Sequence, residues 1–149
     1  MFSIFILGMD LASLGSKVSQ PLLKNCFLVK MMKEIITKIS FQLMSFVYKI
    51  RDKYLPHYEI LKDAELEPGL NVIDYGCGPG GYIKSASEIV GEKGKVYAVD
   101  INPLAIQSVK KIIIENKLIN VKTILTDCKT NLPNNSIDVV YLFDFFHEL

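Results

Sequence analysis

Four aspartates stand where apolar runs end: Asp74 after 70–73, Asp100 after 96–99, Asp127 after 121–126 and Asp144 after 137–143. Carboxylates so placed can accept from hydroxyl and amino groups or face a cation. Past the first of them the chain breaks into Tyr75-Gly76-Cys77-Gly78-Pro79-Gly80-Gly81-Tyr82. Glycines there permit positive φ and put no Cβ between backbone and ligand, and a following helix aims its first N–H groups at the same spot. Gly76, Gly78 and Gly81 satisfy G-x-G-x-x-G, with Asp100 at roughly the 20-residue distance of a ribose-binding acid, as a dinucleotide such as NAD requires. The same stretch also satisfies D-x-G-x-G-x-G through Asp74, Gly76, Gly78 and Gly80. A carboxylate at 74 repels a pyrophosphate and attracts a cationic amine, so the turn points away from NAD.

These residues need a sheet to bring them together. Short apolar runs predict strands over 70–74, 95–100, 121–126 and 137–143, the last patterned to be buried. Between them, 82–90 reads as a helix stopped by Gly91, and Asn102 with Pro103 reads as the cap and first residue of a helix reaching about 117. Alternation of strands and helices predicts an open, mostly parallel α/β sheet, whose carboxyl edge is where ligands bind. All four aspartates fall at that edge, which predicts one shared site.

Ahead of this lies a different kind of sequence. Met32, Ile35, Ile36, Ile39, Leu43, Phe46, Val47 and Ile50 recur at helical steps, predicting an amphipathic helix that packs on the sheet or over the ligand mouth. Pro56 breaks it, Tyr54 and His57 are candidate lid residues, and a short helix over 60–64 leads to the Glu67-Pro68-Gly69 turn. The apolar stretch 1–14 fails as a signal or anchor, having no basic residue before it and Asp10 within it. Met31 and Met32 raise the expectation that residues 1–30 are an upstream start-site extension rather than native structure.

The 149 residues are half apolar with 22% charged and a formal charge of +1, which suits one globular domain and argues against a nucleic-acid or membrane partner. Cys26, Cys77 and Cys128 are odd in number and lack C-x-x-C spacing, so neither a disulfide framework nor a metal site is expected, and the cytoplasm is the expected compartment.

From about residue 66 to 149 the chain resembles the class I S-adenosylmethionine-dependent methyltransferases, on the strength of Asp74 with its glycine turn, Asp100 and Asp127. The resemblance implies a Rossmann-like domain over 66–149 with strand order 3-2-1-4, preceded by an extension over 1–65. It places the turn from Gly76 through Cys77 and Gly78 to Gly80 under the methionine part of S-adenosylmethionine, with Asp74 near the ammonium. Asp100 would accept both ribose hydroxyls and Ile101 would press on the adenine. Asp127 would accept from the adenine amino group, and the Cys128 backbone N–H would meet a ring nitrogen, leaving both Cys77 and Cys128 as buried small side chains. The segment from Asp144 to Glu148 would border the transferring methyl, with His147 the base candidate.

The family sheet has seven strands, in the order 3-2-1-4-5-7-6, and only the first four are expected here, so the domain reads as lacking its C-terminal half. The acceptor is read as a small molecule. Strand four would be an exposed edge open to self-association. A truncated cofactor-binding or interaction module and an NAD-dependent oxidoreductase are the rival readings.

Overall fold

Val72, Ile73, Val96, Val99 and Val121 are β-branched residues that favour extended backbone, and each lies in a strand. The computed structural model describes residues 27–143, so the expectations for residues 1–26, Asp144 and His147 lie outside the described residues. The chain divides into two compact units, Met1–Ser40 and Phe41–Leu149. Of the first, residues 27–40 are helical.

In chain order the elements are α1 (Phe27–Asp52), α2 (His57–Asp63), β1 (Asn71–Tyr75), α3 (Ile83–Val90), β2 (Lys95–Asp100), α4 (Pro103–Asn116), β3 (Val121–Leu125) and β4 (Val139–Tyr141). The strands form one sheet in the order β3-β2-β1-β4, all neighbours parallel, as the sequence predicts. Asp74 sits opposite Ala98 and Tyr141, and Asp100 opposite Leu125, so the strands end together at one edge.

Local signals place the helices. The Asn102 side chain accepts from Leu104 N at 2.9 Å and Pro103 occupies the first helical position of α4. At the end of α3, Gly91 takes φ 65°. The core between sheet and helices is built on Leu61, Val72, Ile83, Val90, Val96 and Val109.

Two expectations need correction. The apolar stripe of α1 is not its packing face: no residue of the helix is buried, and Leu43, Phe46, Val47 and Ile50 are all more than half exposed. Within the second unit, Met44, Tyr48 and Arg51 are the positions that line a cavity. The fourth strand is also shorter than the predicted 137–143. Asp138 precedes it, its Oδ2 accepting from Asn71 N and its own N–H donating to Asn71 O, both at 2.8 Å. Val140 in its centre is 51% exposed and β4 comes last in the order of the described strands, in keeping with the expected exposed edge.

A buried polar bridge ties α3 to the loop before β3. Ser87 Oγ donates to Asn120 Oδ1 at 2.5 Å, and Asn120 Nδ2 donates to Ser87 O at 3.0 Å and Gly91 O at 2.7 Å. Asn120→Ala strips these partners at once and strands buried groups, and is expected to cost about 2–4 kcal/mol in urea unfolding. A loss below about 1 kcal/mol would show that the bridge contributes little.

Candidate functional site

The turn after β1 is held by the neighbouring strand. Gly76 N and Cys77 N both donate to Val99 O, at 2.8 and 3.0 Å, and Gly80 N closes back onto Cys77 O at 3.0 Å. Gly76, Gly78 and Gly80 take φ of 73°, 50° and 91°, a region that L side chains rarely occupy. Asp100 completes the fixture: its Oδ2 accepts from Gly78 N at 2.8 Å while its Oδ1 accepts from Asn102 N at 2.7 Å. On the far side of the turn, Ser108 Oγ of α4 donates to Pro79 O at 2.8 Å.

Around this turn lies a cavity of about 420 Å³, within the range of ~300–1,000 Å³ usual for small-molecule sites. Asp74, Asp100 and Asp127 all line it, each from the end of a different strand. So do Gly76, Cys77, Gly78, Ile101 and Cys128. Among the described residues no group of three or more potential ligands could hold a metal ion.

Gly80 is not among the lining residues. A Cβ there would lie 2.8 Å from Ile112 Cδ1 and 3.0 Å from Val109 Cγ2, so its smallness serves the packing of the turn on α4. Cys128 departs from its expectation as a buried side chain: it is exposed, because it follows β3 on the open rim, whereas Cys77 is buried. Of the two lid candidates, Tyr54 is 78% exposed. His57 instead packs inward, its Nε2 3.2 Å from Asp52 Oδ1 and its ring 4.4 Å from that of Tyr82.

The sequence reading missed the wall made by Met44, Tyr48, Arg51, Tyr82 and Phe143. The i, i+4, i+7 spacing of the first three was the available signal, masked by the stronger apolar stripe on the other face of α1. Tyr82 and Phe143 stack at 4.8 Å, and Phe143 in turn lies 5.2 Å from Tyr141.

Asp74 is only 2% exposed and sets the electrostatics of the turn. Burial, then the charges of Asp74 and Asp100, push the Cys77 thiol far up from its ordinary 9.0. Burial and Asp74 likewise push up the Tyr141 phenol, whose hydroxyl has no hydrogen-bond partner among the described residues.

A family model described as a methyltransferase domain matches residues 66–149. Ribosomal RNA large subunit methyltransferase E of Alkalilimnicola ehrlichii is 46% identical over 43 residues, which are 29% of this chain and 21% of that protein. The protein of the same description from Stutzerimonas stutzeri is 51% identical over 43 residues, with the same shares. Among solved structures, a SAM-dependent methyltransferase from Aquifex aeolicus aligns with a TM-score of 0.60 and 35% identity, over 63% of this chain and 50% of that one. The chain thus spans about a fifth of these curated relatives and half of that solved structure.

Accessibility and field together predict an order of thiol reactivity. With iodoacetamide at pH 8, followed by peptide mass spectrometry, Cys128 is expected to be alkylated well before Cys77, which burial and two carboxylates keep protonated. Faster labelling of Cys77 would contradict the burial and field assigned to it.

Proposed function

The chain belongs to the methyltransferase-domain family, and we propose that it transfers a methyl group from S-adenosylmethionine to a small-molecule acceptor. What carries this reading is the convergence of Asp74, Asp100 and Asp127 on one cavity beside a glycine turn. S-adenosylmethionine offers an ammonium, a ribose diol and an adenine amino group, each a donor, and no phosphate. Three carboxylates suit such a ligand and oppose a dinucleotide, whose pyrophosphate would lie beside Asp74. The turn also has room: a Cβ built on Gly78 meets no atom closer than Gly76 O at 4.0 Å.

In this reading Asp74 receives the ammonium and Asp100 receives the ribose hydroxyls. Asp127 accepts from the adenine amino group, the Cys128 N–H meets a ring nitrogen and Ile101 covers the ring. When bound, the cofactor supplies a methyl group already activated by its sulfonium. The chain's own part is to orient, to exclude water and, where the acceptor is protonated, to take a proton. By the family resemblance His147 and Asp144, which lie outside the described residues, are the catalytic candidates, His147 as the base.

The small-molecule acceptor is supported by the formal charge of +1, with lysines scattered along the chain rather than clustered. Among the described residues no helix is long and apolar enough to cross a membrane. A cytoplasmic setting fits cysteines without a pairing pattern.

Calorimetric titration with S-adenosylhomocysteine and with NADH tests the reading, and heat is expected only with the first. Asp100→Ala removes charged hydrogen bonds worth roughly 1.5–3 kcal/mol each, so S-adenosylhomocysteine affinity is expected to fall at least about tenfold. Unchanged affinity would misplace the ribose contact, and tight NADH binding without a thioether response would overturn the assignment.

A further inference from the structure

The apolar stripe of α1 is exposed in both units. Met32, Ile35, Ile36 and Ile39 in the first, and Leu43, Phe46, Val47 and Ile50 in the second, are between 45% and 64% exposed. At 3.6 residues per turn each group falls on one face of its own part of the helix. Single apolar side chains on a surface are ordinary, whereas a contiguous row of this kind marks a contact.

The charges beside the stripe indicate what it meets. Lys33 and Lys38 are exposed and lie about 110° to either side of the centre of the first group, and exposed Lys49 lies about 110° to one side of the second. The two acids of α1, Glu34 and Asp52, fall on the far face, about 150° and about 170° away. Lysines at such a border bury their stems along apolar surface and carry the ammonium up to headgroup level. In all, α1 carries five basic residues against two acids, an excess that the formal charge of +1 on the whole chain conceals. We propose that α1 docks on an anionic lipid surface, its apolar stripe in the boundary between headgroups and acyl chains and Lys33, Lys38 and Lys49 on the phosphates. This is a contact along the surface rather than a span, since among the described residues no helix is long and apolar enough to cross a membrane. It does not depend on the cofactor reading above.

A second copy of the chain is the other occupant of suitable shape. Met32, Ile36, Ile39, Leu43, Phe46 and Ile50 are spaced by alternating steps of four and three, as a two-helix seam requires. Such a seam is secured by opposite charges at the positions beside it. Here those positions hold Lys33 and Lys49 with Ile35, Ser40, Gln42 and Val47, and no acid. Paired helices would offer the lysines no opposite charge and would leave Ile35 and Val47 at the margin, whereas an anionic bilayer accepts both.

Sedimentation of the full chain with vesicles tests the proposal. Vesicles of about three parts phosphatidylcholine to one of phosphatidylglycerol are expected to bind it at least about tenfold more tightly than phosphatidylcholine alone, a preference that about 1 M salt removes. Leu43→Gln combined with Phe46→Gln is expected to lose at least about tenfold on the anionic vesicles while the urea midpoint stays unchanged, because both side chains are exposed. Lys33→Gln, Lys38→Gln and Lys49→Gln together are expected to bring binding to the anionic vesicles down to within about twofold of the neutral ones.

Equal binding to the two vesicle types, or binding to neither, would overturn the proposal. So would a Leu43→Gln, Phe46→Gln chain that binds vesicles as the intact one does, since the contact would then lie elsewhere. A fall in the urea midpoint of that variant would place the stripe against the protein itself. A chain that is dimeric in sedimentation equilibrium and becomes monomeric with the same two substitutions would give the face to a second copy, and either result overturns the lipid contact.

Discussion

The site depends on one carboxylate held between two loops. Asp100, at the end of β2, accepts from the N–H of Gly78 in the turn after β1 and from that of Asn102 at the start of α4. Bonds of this kind, with an ionised acceptor, are about twice as strong as neutral ones. They also set geometry, because a glycine turn with three positive-φ positions has little of its own to hold it in one shape. Each carboxylate oxygen has two acceptor positions, so engaging one with a backbone N–H leaves acceptor capacity for a hydroxyl. The carboxylate that shapes the turn is therefore already oriented, which would lower the ordering cost of the ribose contact proposed for it.

Burial of Asp74 imposes a second constraint. Burial first, and then the charge of Asp74, favour the neutral forms of the Cys77 thiol and the Tyr141 phenol and push both groups up from their ordinary values. The same field favours a cationic ligand group and disfavours a phosphate. Selection between ligand classes thus arises from a charge at the base of the turn, while the glycines supply only the access.

Most of the sheet was legible because its signals are local. Strand lengths, Asn102-Pro103 and Gly91 each act within a few residues, the alternation of strands and helices indicated an open parallel sheet, and the strand order followed from the family resemblance. What misled was α1. A helix is ordinarily read from its apolar stripe on the premise that this stripe meets the core. In the second unit the inward positions of α1 are Met44, Tyr48, Arg51 and Asp52, because they meet a ligand cavity and a glycine turn, and neither demands an apolar surface. Cys128 was misjudged for a related reason. Its small apolar character suggests burial, but its place one residue past the strand-end aspartate sets it on the rim, where the backbone rather than the side chain is proposed to matter. The mixed role of the glycines was equally hidden, since spacing does not say that Gly80 faces α4 while Gly78 faces the cavity.

The wall of the cavity follows contacts rather than the limits of the family match. From edge strand β4 a row of rings runs Tyr141, Phe143, Tyr82 and His57, at centroid distances of 5.2, 4.8 and 4.4 Å. His57 passes the connection to Asp52, and Asp52 to Arg51. Aromatic pairs of this spacing contribute about 0.5–1.5 kcal/mol each beyond the area they bury, so the row is a physical tie between the sheet and the end of α1. Met44, Tyr48 and Arg51, outside the matched segment, therefore line the same cavity as Asp74 and Asp100.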